Sequence, residues 1–166
     1  LTTSMETIFK TEFEKISENF NIVFTELFGG GQAFLKLSDD EDILESGIEI
    51  IAQPPGKKLQ NMMLLSGGER ALTAIAILFG ILRLKPSPFA VLDEIEAALD
   101  DANVSRFAEY LKKMGKKMQF IVITHRKGTM ASADTIYGVT MEEQGVSKII
   151  SVQLDEAEDY TESKAT

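Results

Sequence analysis

Cysteine is absent from this 166-residue chain, which excludes disulfides and thiolate-bound metals and suits a reducing cytoplasm. No apolar run approaches the length needed to cross a bilayer, and the first residues carry no signal-peptide pattern. Nor does methionine open the chain: it starts at Leu1, as expected of a segment cut from a longer protein. Basic charge is scarce, with 17 Lys and Arg against 26 Asp and Glu and a formal net charge of −9. Such a surface repels nucleic-acid phosphates unless its cations gather on one face. The basic pairs Lys112-Lys113 and Lys116-Lys117 lack interleaved aromatics, and a solvated helix end accounts for them. Much of the negative charge sits in Asp39-Asp40-Glu41-Asp42, read as a surface turn, and from Asp155 to Glu162, read as a frayed tail. What is present is ordinary for a globular protein: 44% hydrophobic and 26% charged residues, enough for one domain with a real core.

Residues 1 to 28 contain neither Pro nor Gly and read as one helix. Phe9, Phe13, Ile16, Phe20, Val23 and Leu27 recur at alternating spacings of four and three, a heptad seam, while Leu1, Met5 and Ile8 form a shifted stripe. By itself the pattern fits a helix packed on its own domain, with the root of a longer coiled coil as the alternative. Gly29-Gly30-Gly31 ends it. Two strands are expected at 32–37 and 47–52, separated by the acidic turn, and Pro54-Pro55-Gly56 breaks the chain after them. A helix follows from Gly67 to Lys85, apolar around most of its circumference and so expected to be buried on several sides. Pro86 and Pro88 separate it from a strand ending at Asp93. Asp100 or Asp101 can cap the next helix, which should run to Met114 and stop at Gly115. A strand from Met118 to Thr124 completes a strand–helix–strand unit, whose strands should be parallel with a right-handed crossover. Strands at 135–141 and 146–154 around Glu142-Glu143-Gln144-Gly145 form a terminal hairpin.

Three polar clusters sit at the edges of apolar elements. The first is Leu64-Leu65-Ser66-Gly67-Gly68-Glu69-Arg70; the second is Asp93-Glu94 after Phe89-Ala90-Val91-Leu92; the third is Thr124-His125 after Phe120-Ile121-Val122-Ile123. Parallel strands place their carboxyl ends on one sheet edge, so Asp93-Glu94 and Thr124-His125 should lie together. Hydrolysis of a nucleoside triphosphate needs a divalent ion near the phosphates, a residue that orients water, and donors for developing charge. Asp93 suits Mg2+, Glu94 the attacking water, and His125 a hydrogen bond near the γ-phosphate. Each has a plainer rival: a solvated loop start for the acid pair, a structural role for the single histidine, a capping box for Ser66-x-x-Glu69. The last is compatible with function, since a capped helix opening on Gly67-Gly68 offers free amides and a positive dipole end to a phosphate. The phosphate loop that should accompany these clusters, Gly-x-x-x-x-Gly-Lys-Ser/Thr, is missing; Gly29-Gly30-Gly31 and Pro54-Pro55-Gly56-Lys57-Lys58 have the wrong spacing. The chain therefore reads as half of an ATPase.

From Gly29 to about Leu154, roughly three-quarters of the chain, the sequence resembles the C-terminal half of the head of bacterial SMC proteins, the chromosome-condensing ATPases of the ABC type. Leu64 to Arg70 is similar to the signature motif, Phe89 to Asp100 to Walker B with its D-loop, and Phe120 to Met130 (FIVITHRKGTM) to the SMC switch segment. The stretches GIEIIAQPPGKKLQ, DEIEAALDDANVSRF and YGVTMEEQGVSKIISV resemble the same family. That resemblance implies an α/β fold: a C-terminal head lobe with a mixed sheet flanked by helices (29–154), a coiled-coil neck helix (1–28) and an acidic tail (155–166). It implies ATP and Mg2+ as cofactors, and a Walker A motif on an N-terminal half-head supplied by another segment. Asp93, Glu94 and His125 would then act on ATP held in the same head. Ser66, Gly67, Gly68 and Glu69 would cap the γ-phosphate of ATP on a second head, with Asp100 across that interface. It further implies a kleisin partner of the ScpA type, docking through its C-terminal winged-helix domain, DNA contact through the whole complex, no membrane, and a cytoplasmic, nucleoid-associated location. The kleisin contact is expected on the hairpin from Tyr137 to Gln153, where Val139, Met141, Val146, Ile149 and Val152 either face outward or pack internally. The competing readings are a non-catalytic docking platform and the nucleotide-binding unit of another ABC-type ATPase, RecN-like or a transporter.

Overall fold

Absence of any breaker before Gly29 lets one long helix, α1 (Thr2–Phe28), open the chain. The computed structural model describes residues 2–38 and 43–153, so the acidic run 39–42 and the tail from 154 onward lie outside the described residues. Along the last three turns of α1, Phe20, Val23, Phe24, Leu27 and Phe28 are buried. This face is wider than the seam, because Phe24 and Phe28 stack with ring centroids 4.1 Å apart and join it. Nearer the start, Phe9 and Phe13 stack at 5.9 Å but are only half-buried, and Met5 and Ile8 are exposed. One end of α1 is thus a core helix and the other carries apolar side chains into solvent.

Gly29, Gly30 and Gly31 all adopt positive φ, turning the chain into β1 (Gln32–Leu37), antiparallel to β2 (Ile48–Gln53), which pairs in turn with the short β3 (Gln60–Asn61). At Gly31 a Cβ would stand 2.2 Å from the Gln53 carbonyl oxygen, so no other residue fits. Strand β1 would be an open edge, but α1 covers it: Asn21 Oδ1 accepts from Ala33 N–H at 2.9 Å and Ser17 Oγ from Leu35 N–H at 3.0 Å.

The second helix, α2 (Gly67–Leu84), crosses α1 closely. A Cβ on Gly80 would lie 2.9 Å from Phe20 N, and that glycine sets the approach of the two helices. Leu72, Thr73, Ile75, Ala76 and Phe79 are buried, whereas Leu78 and Ile81 remain exposed. The expectation of burial on several sides holds for only part of the circumference. Nothing among the described residues covers the remaining stripe.

A strand–helix–strand unit follows: β4 (Phe89–Asp93), α3 (Asp101–Gly115) and β5 (Gln119–Ile123), the strands parallel from Phe89↔Gln119 to Asp93↔Ile123. Asp100 caps α3, its Oδ1 accepting from Asn103 N–H at 2.8 Å. The helix ends at Gly115, where a stop was expected. Its C-cap is Lys116 in a right-handed conformation, so Gly115 closes the last turn without the left-handed glycine cap. Phe79 joins the layers, its ring 5.1 Å from Tyr110, 5.8 Å from Phe120 and 6.3 Å from Phe107.

A short helix α4 (Lys127–Met130) leads to the hairpin β6 (Thr135–Glu143) and β7 (Val146–Gln153). β6 runs further than expected, leaving Gln144 and Gly145 as the turn; Gly145 has φ +85°. The α/β class is borne out. The described strands divide among three small sheets, two antiparallel and one parallel, rather than forming one mixed sheet.

Candidate active site

Ser66 adopts an extended backbone ahead of α2, and the Ser-x-x-Glu spacing closes the expected box. Glu69 N–H donates to Ser66 Oγ at 3.4 Å, and Glu69 Oε2 accepts from Ser66 N–H at 3.1 Å and from its hydroxyl at 2.7 Å. Lys57, from the turn after β2, adds its ammonium 2.8 Å from Glu69 Oε1. Partial burial pushes the Glu69 carboxyl up, but hydrogen bonds from Lys57 and Ser66 and the lysine charge together hold it below the ordinary glutamate range. The amides of Gly67 and Gly68 have no such partner among the described residues and face the helix opening. An added Cβ on Gly68 would lie 3.8 Å from Asp100 Oδ2 and Asn103 Nδ2. Ser66, Gly68, Glu69 and Asp100 therefore line one open cavity of about 550 Å³, with Asn103 and Arg106 beside them.

At the carboxyl edge of the parallel pair, register places Asp93 opposite Ile123. Glu94, one residue past its strand, and His125, two past its own, meet: His125 Nδ1 lies 3.1 Å from Glu94 Oε1, with both side chains more than half exposed. Glu94 is the one non-glycine residue with positive φ (47°) among the described residues. Its amide donates to Ile123 O at 2.9 Å and its carbonyl accepts from Ala97 N–H at 3.0 Å, two bonds that hold a conformation costing about 1–3 kcal/mol. His125 lines a second cavity of about 450 Å³ with Asp101, Ser105, Arg126 and Lys127. The structure thus groups Asp93, Glu94 and His125 on one edge, and Ser66, Gly68 and Glu69 with Asp100 in a different cavity, while Gly67 is not among its lining residues.

No cluster of three or more metal-ligating side chains occurs among the described residues. Asp93 supplies one exposed carboxylate at the sheet edge. That fits Mg2+, which usually takes one or two protein carboxylates and completes its shell with water and phosphate oxygens.

Several residues beside these clusters were not singled out from sequence. Glu96 is 1% exposed and its Oε1 accepts from Thr124 Oγ1 at 2.5 Å. Arg126 donates through Nη2 to the carbonyls of Ala97 and Leu99 at 3.1 and 2.7 Å. Lys57 was noted only as part of a failed phosphate loop. A charged residue directly after Thr124-His125 was the available signal for Arg126; for Glu96 the pattern offered none.

The model of the RecF/RecN/SMC N terminal domain matches residues 4–148. The chromosome partition protein Smc of Bacillus subtilis is 65% identical over 154 residues, 93% of this chain. Its counterpart in Desulfitobacterium hafniense is 61% identical over 152 residues, 92% of this chain. The chain spans 13% of the length of each. Among solved structures, a chain from work on ATP-driven dimerization and DNA-stimulated activation of SMC ATPases superposes with a TM-score of 0.84 at 45% identity, covering 97% of this chain and 98% of that one. The Smc head domain from Pyrococcus furiosus with an extended coiled coil, bound to the C-terminal domain of ScpA, gives 0.81 at 46% identity, covering 99% of this chain and 41% of that one.

Proposed function

Because the chain belongs to the RecF/RecN/SMC family, we propose that it is the C-terminal half of an SMC ATPase head, acting in chromosome condensation and partition. The observation that carries this reading is the bare face of the β4–β5 sheet. On one face Ala90, Leu92, Phe120 and Val122 pack inward, wholly or partly buried; on the other, Phe89, Val91, Ile121 and Ile123 are each about half exposed. Parallel sheets are covered on both faces in α/β domains, so a further segment belongs there. An N-terminal half-head carrying the missing phosphate loop supplies the need, and brings its nucleotide to the edge where Asp93, Glu94 and His125 stand.

In this reading ATP and Mg2+ occupy that edge, and the magnesium neutralises phosphate charge once bound. Asp93 holds the ion, directly or through water. Glu94 accepts a hydrogen bond from the attacking water and orients it. His125 keeps Nδ1 against Glu94, leaving Nε2 free to meet the γ-phosphate. Ser66, Gly67, Gly68 and Glu69 act instead on ATP bound to a second head: two unspent amides and the helix dipole meet the γ-phosphate, and the Ser66 hydroxyl turns from Glu69 to donate to it. Asp100, in the same cavity, lies at the head–head interface. The separation of the two clusters into different cavities supports one serving in cis and the other in trans. The free apolar end of α1 supports a neck continuing into a coiled coil.

Val139, Met141 and Ile149 lie on one face of the β6–β7 hairpin with Tyr137, all more than 60% exposed, which supports the outward-facing reading. A kleisin winged helix of the ScpA type is proposed to dock there. DNA is contacted by the assembled complex, since this chain carries a formal net charge of −9. No described helix is long and apolar enough to cross a membrane, and a nucleoid-associated cytoplasmic location follows from the proposed role. A bare docking platform or a transporter subunit accounts less well for the relatives.

Mixing this chain with a segment carrying the phosphate loop tests the assignment: ATP hydrolysis should appear only in the mixture. Glu94→Gln should then allow ATP binding and head pairing while slowing turnover by about 10²–10⁴; unchanged turnover removes Glu94 from its role. Ser66→Arg should block ATP-dependent pairing while a single head still binds ATP.

A further inference from the structure

The loop between β4 and α3 is folded into successive tight turns, Ala97 N–H donating to Glu94 O and Leu99 N–H to Glu96 O, each at 3.0 Å. Those turns leave the carbonyls of Ala97 and Leu99 without a backbone partner among the described residues. Arg126 takes both with one nitrogen, and its other terminal nitrogen stands 3.6 Å from Asp101 Oδ1. A second tie runs alongside. Arg126 N–H donates to Thr124 Oγ1 at 3.0 Å, and that hydroxyl donates to the buried Glu96 at 2.5 Å. The segment holding His125 and the loop ending at Asp100 are therefore joined by side chains reaching across about thirty positions of chain.

We propose that Arg126 is a positioning residue for ATP hydrolysis, locking the His125 segment to the loop that follows Glu94 so that Glu94 and His125 keep their placement at the cis edge. The proposal rests on the ATPase reading above. The reason lies in the partners. Backbone carbonyls cannot change charge or rotamer, so one guanidinium nitrogen bridging two of them fixes loop shape rather than charge balance, and the rigid guanidinium plane leaves that nitrogen little freedom. The Asp101 contact adds little, since that side chain is fully exposed. Glu94 and His125, by contrast, are open to solvent and bonded mainly to each other, so their placement against a nucleotide depends on the two segments that carry them. Misplacement by about 1 Å at such a site costs on the order of a hundredfold in rate.

The test uses the full-length protein, with Arg126→Ala and Arg126→Lys beside Glu94→Gln as control. Turnover and KM are measured for each Arg126 variant alone, and ATP-dependent pairing is followed by light scattering in the Glu94→Gln background. Arg126→Ala should lower kcat by about ten- to a hundredfold with little change in KM and with pairing retained, because the Ser66 cluster is untouched. Arg126→Lys keeps the charge without the rigid guanidinium plane and should fall between the two. Wild-type kcat in both variants overturns the proposal. So does a parallel loss of turnover and pairing in both, which marks a residue needed only for folding. If Arg126→Ala does not fold, Arg126→Lys decides by the same criteria. Unchanged turnover in Glu94→Gln would bring down the ATPase reading itself, a result distinct from silent Arg126 variants beside an inactive Glu94→Gln.

Discussion

Two apolar surfaces of similar composition meet opposite fates in this molecule. Around Phe79, side chains from α1, α2, α3 and β5 close a core in which Phe20, Phe24, Phe79 and Phe107 are wholly buried. On the outer face of β4–β5, Phe89, Val91, Ile121 and Ile123 are equally apolar and about half exposed. Both surfaces are built from regular elements with ordinary periodicity. The difference is a covering layer, present for the first and absent among the described residues for the second. An exposed patch of this kind marks where a molecule is completed by another segment or partner, whereas the closed core fixes the frame on which the catalytic candidates sit.

The sharpest way to break that comparison is at its closed end. Phe79→Ala removes the ring shared by three aromatic contacts and should destabilise the domain by about 3–5 kcal/mol in urea unfolding. Gly80→Ala should cost about 1–3 kcal/mol, because its Cβ meets the Phe20 backbone rather than a flexible side-chain end. A loss under about 0.5 kcal/mol would show that the helices part easily. At the open end the expectation reverses: Val91→Ser with Ile121→Ser should change the stability of this chain by less than about 1 kcal/mol yet weaken its association with the proposed phosphate-loop segment, measured by titration calorimetry. A large destabilisation of the isolated chain would mean that the face is already covered.

A pH-dependent effect belongs to the polar cap. With its folded value depressed, the Glu69 carboxylate contributes stability above its unfolded value, near 4.5, and loses that contribution as pH falls through the lower folded value. Glu69→Gln should therefore flatten the acid limb of the stability–pH curve below about pH 4.5, and leave the neutral plateau lowered by roughly 0.5–2 kcal/mol. An unchanged acid limb would mean that Lys57 and Ser66 do not hold this carboxylate in solution.

Local rules were legible where local forces decide. Ser66-x-x-Glu69 announced its capping box because cap and acceptor are one helical turn apart. Asp93-Glu94 and Thr124-His125 could be placed on one edge because parallel pairing aligns strand ends. Gly115 likewise marked the end of α3, where the buried run Phe107, Leu111 and Met114 gives out. The partners of Lys57 and of Arg126 left no pattern, being set by how the chain returns on itself.

Sequence alone determined the element types, the cap of α2 and the chemical character of each polar cluster, since these follow from spacing within one or two turns or along one strand. Only the tertiary structure decided that Glu94 takes a left-handed backbone, that His125 reaches it, that the Ser66 cluster opens on a separate cavity, and which apolar face stays bare. Those outcomes depend on packing and hydrogen bonds between residues distant in the chain, where burial outweighs local preference.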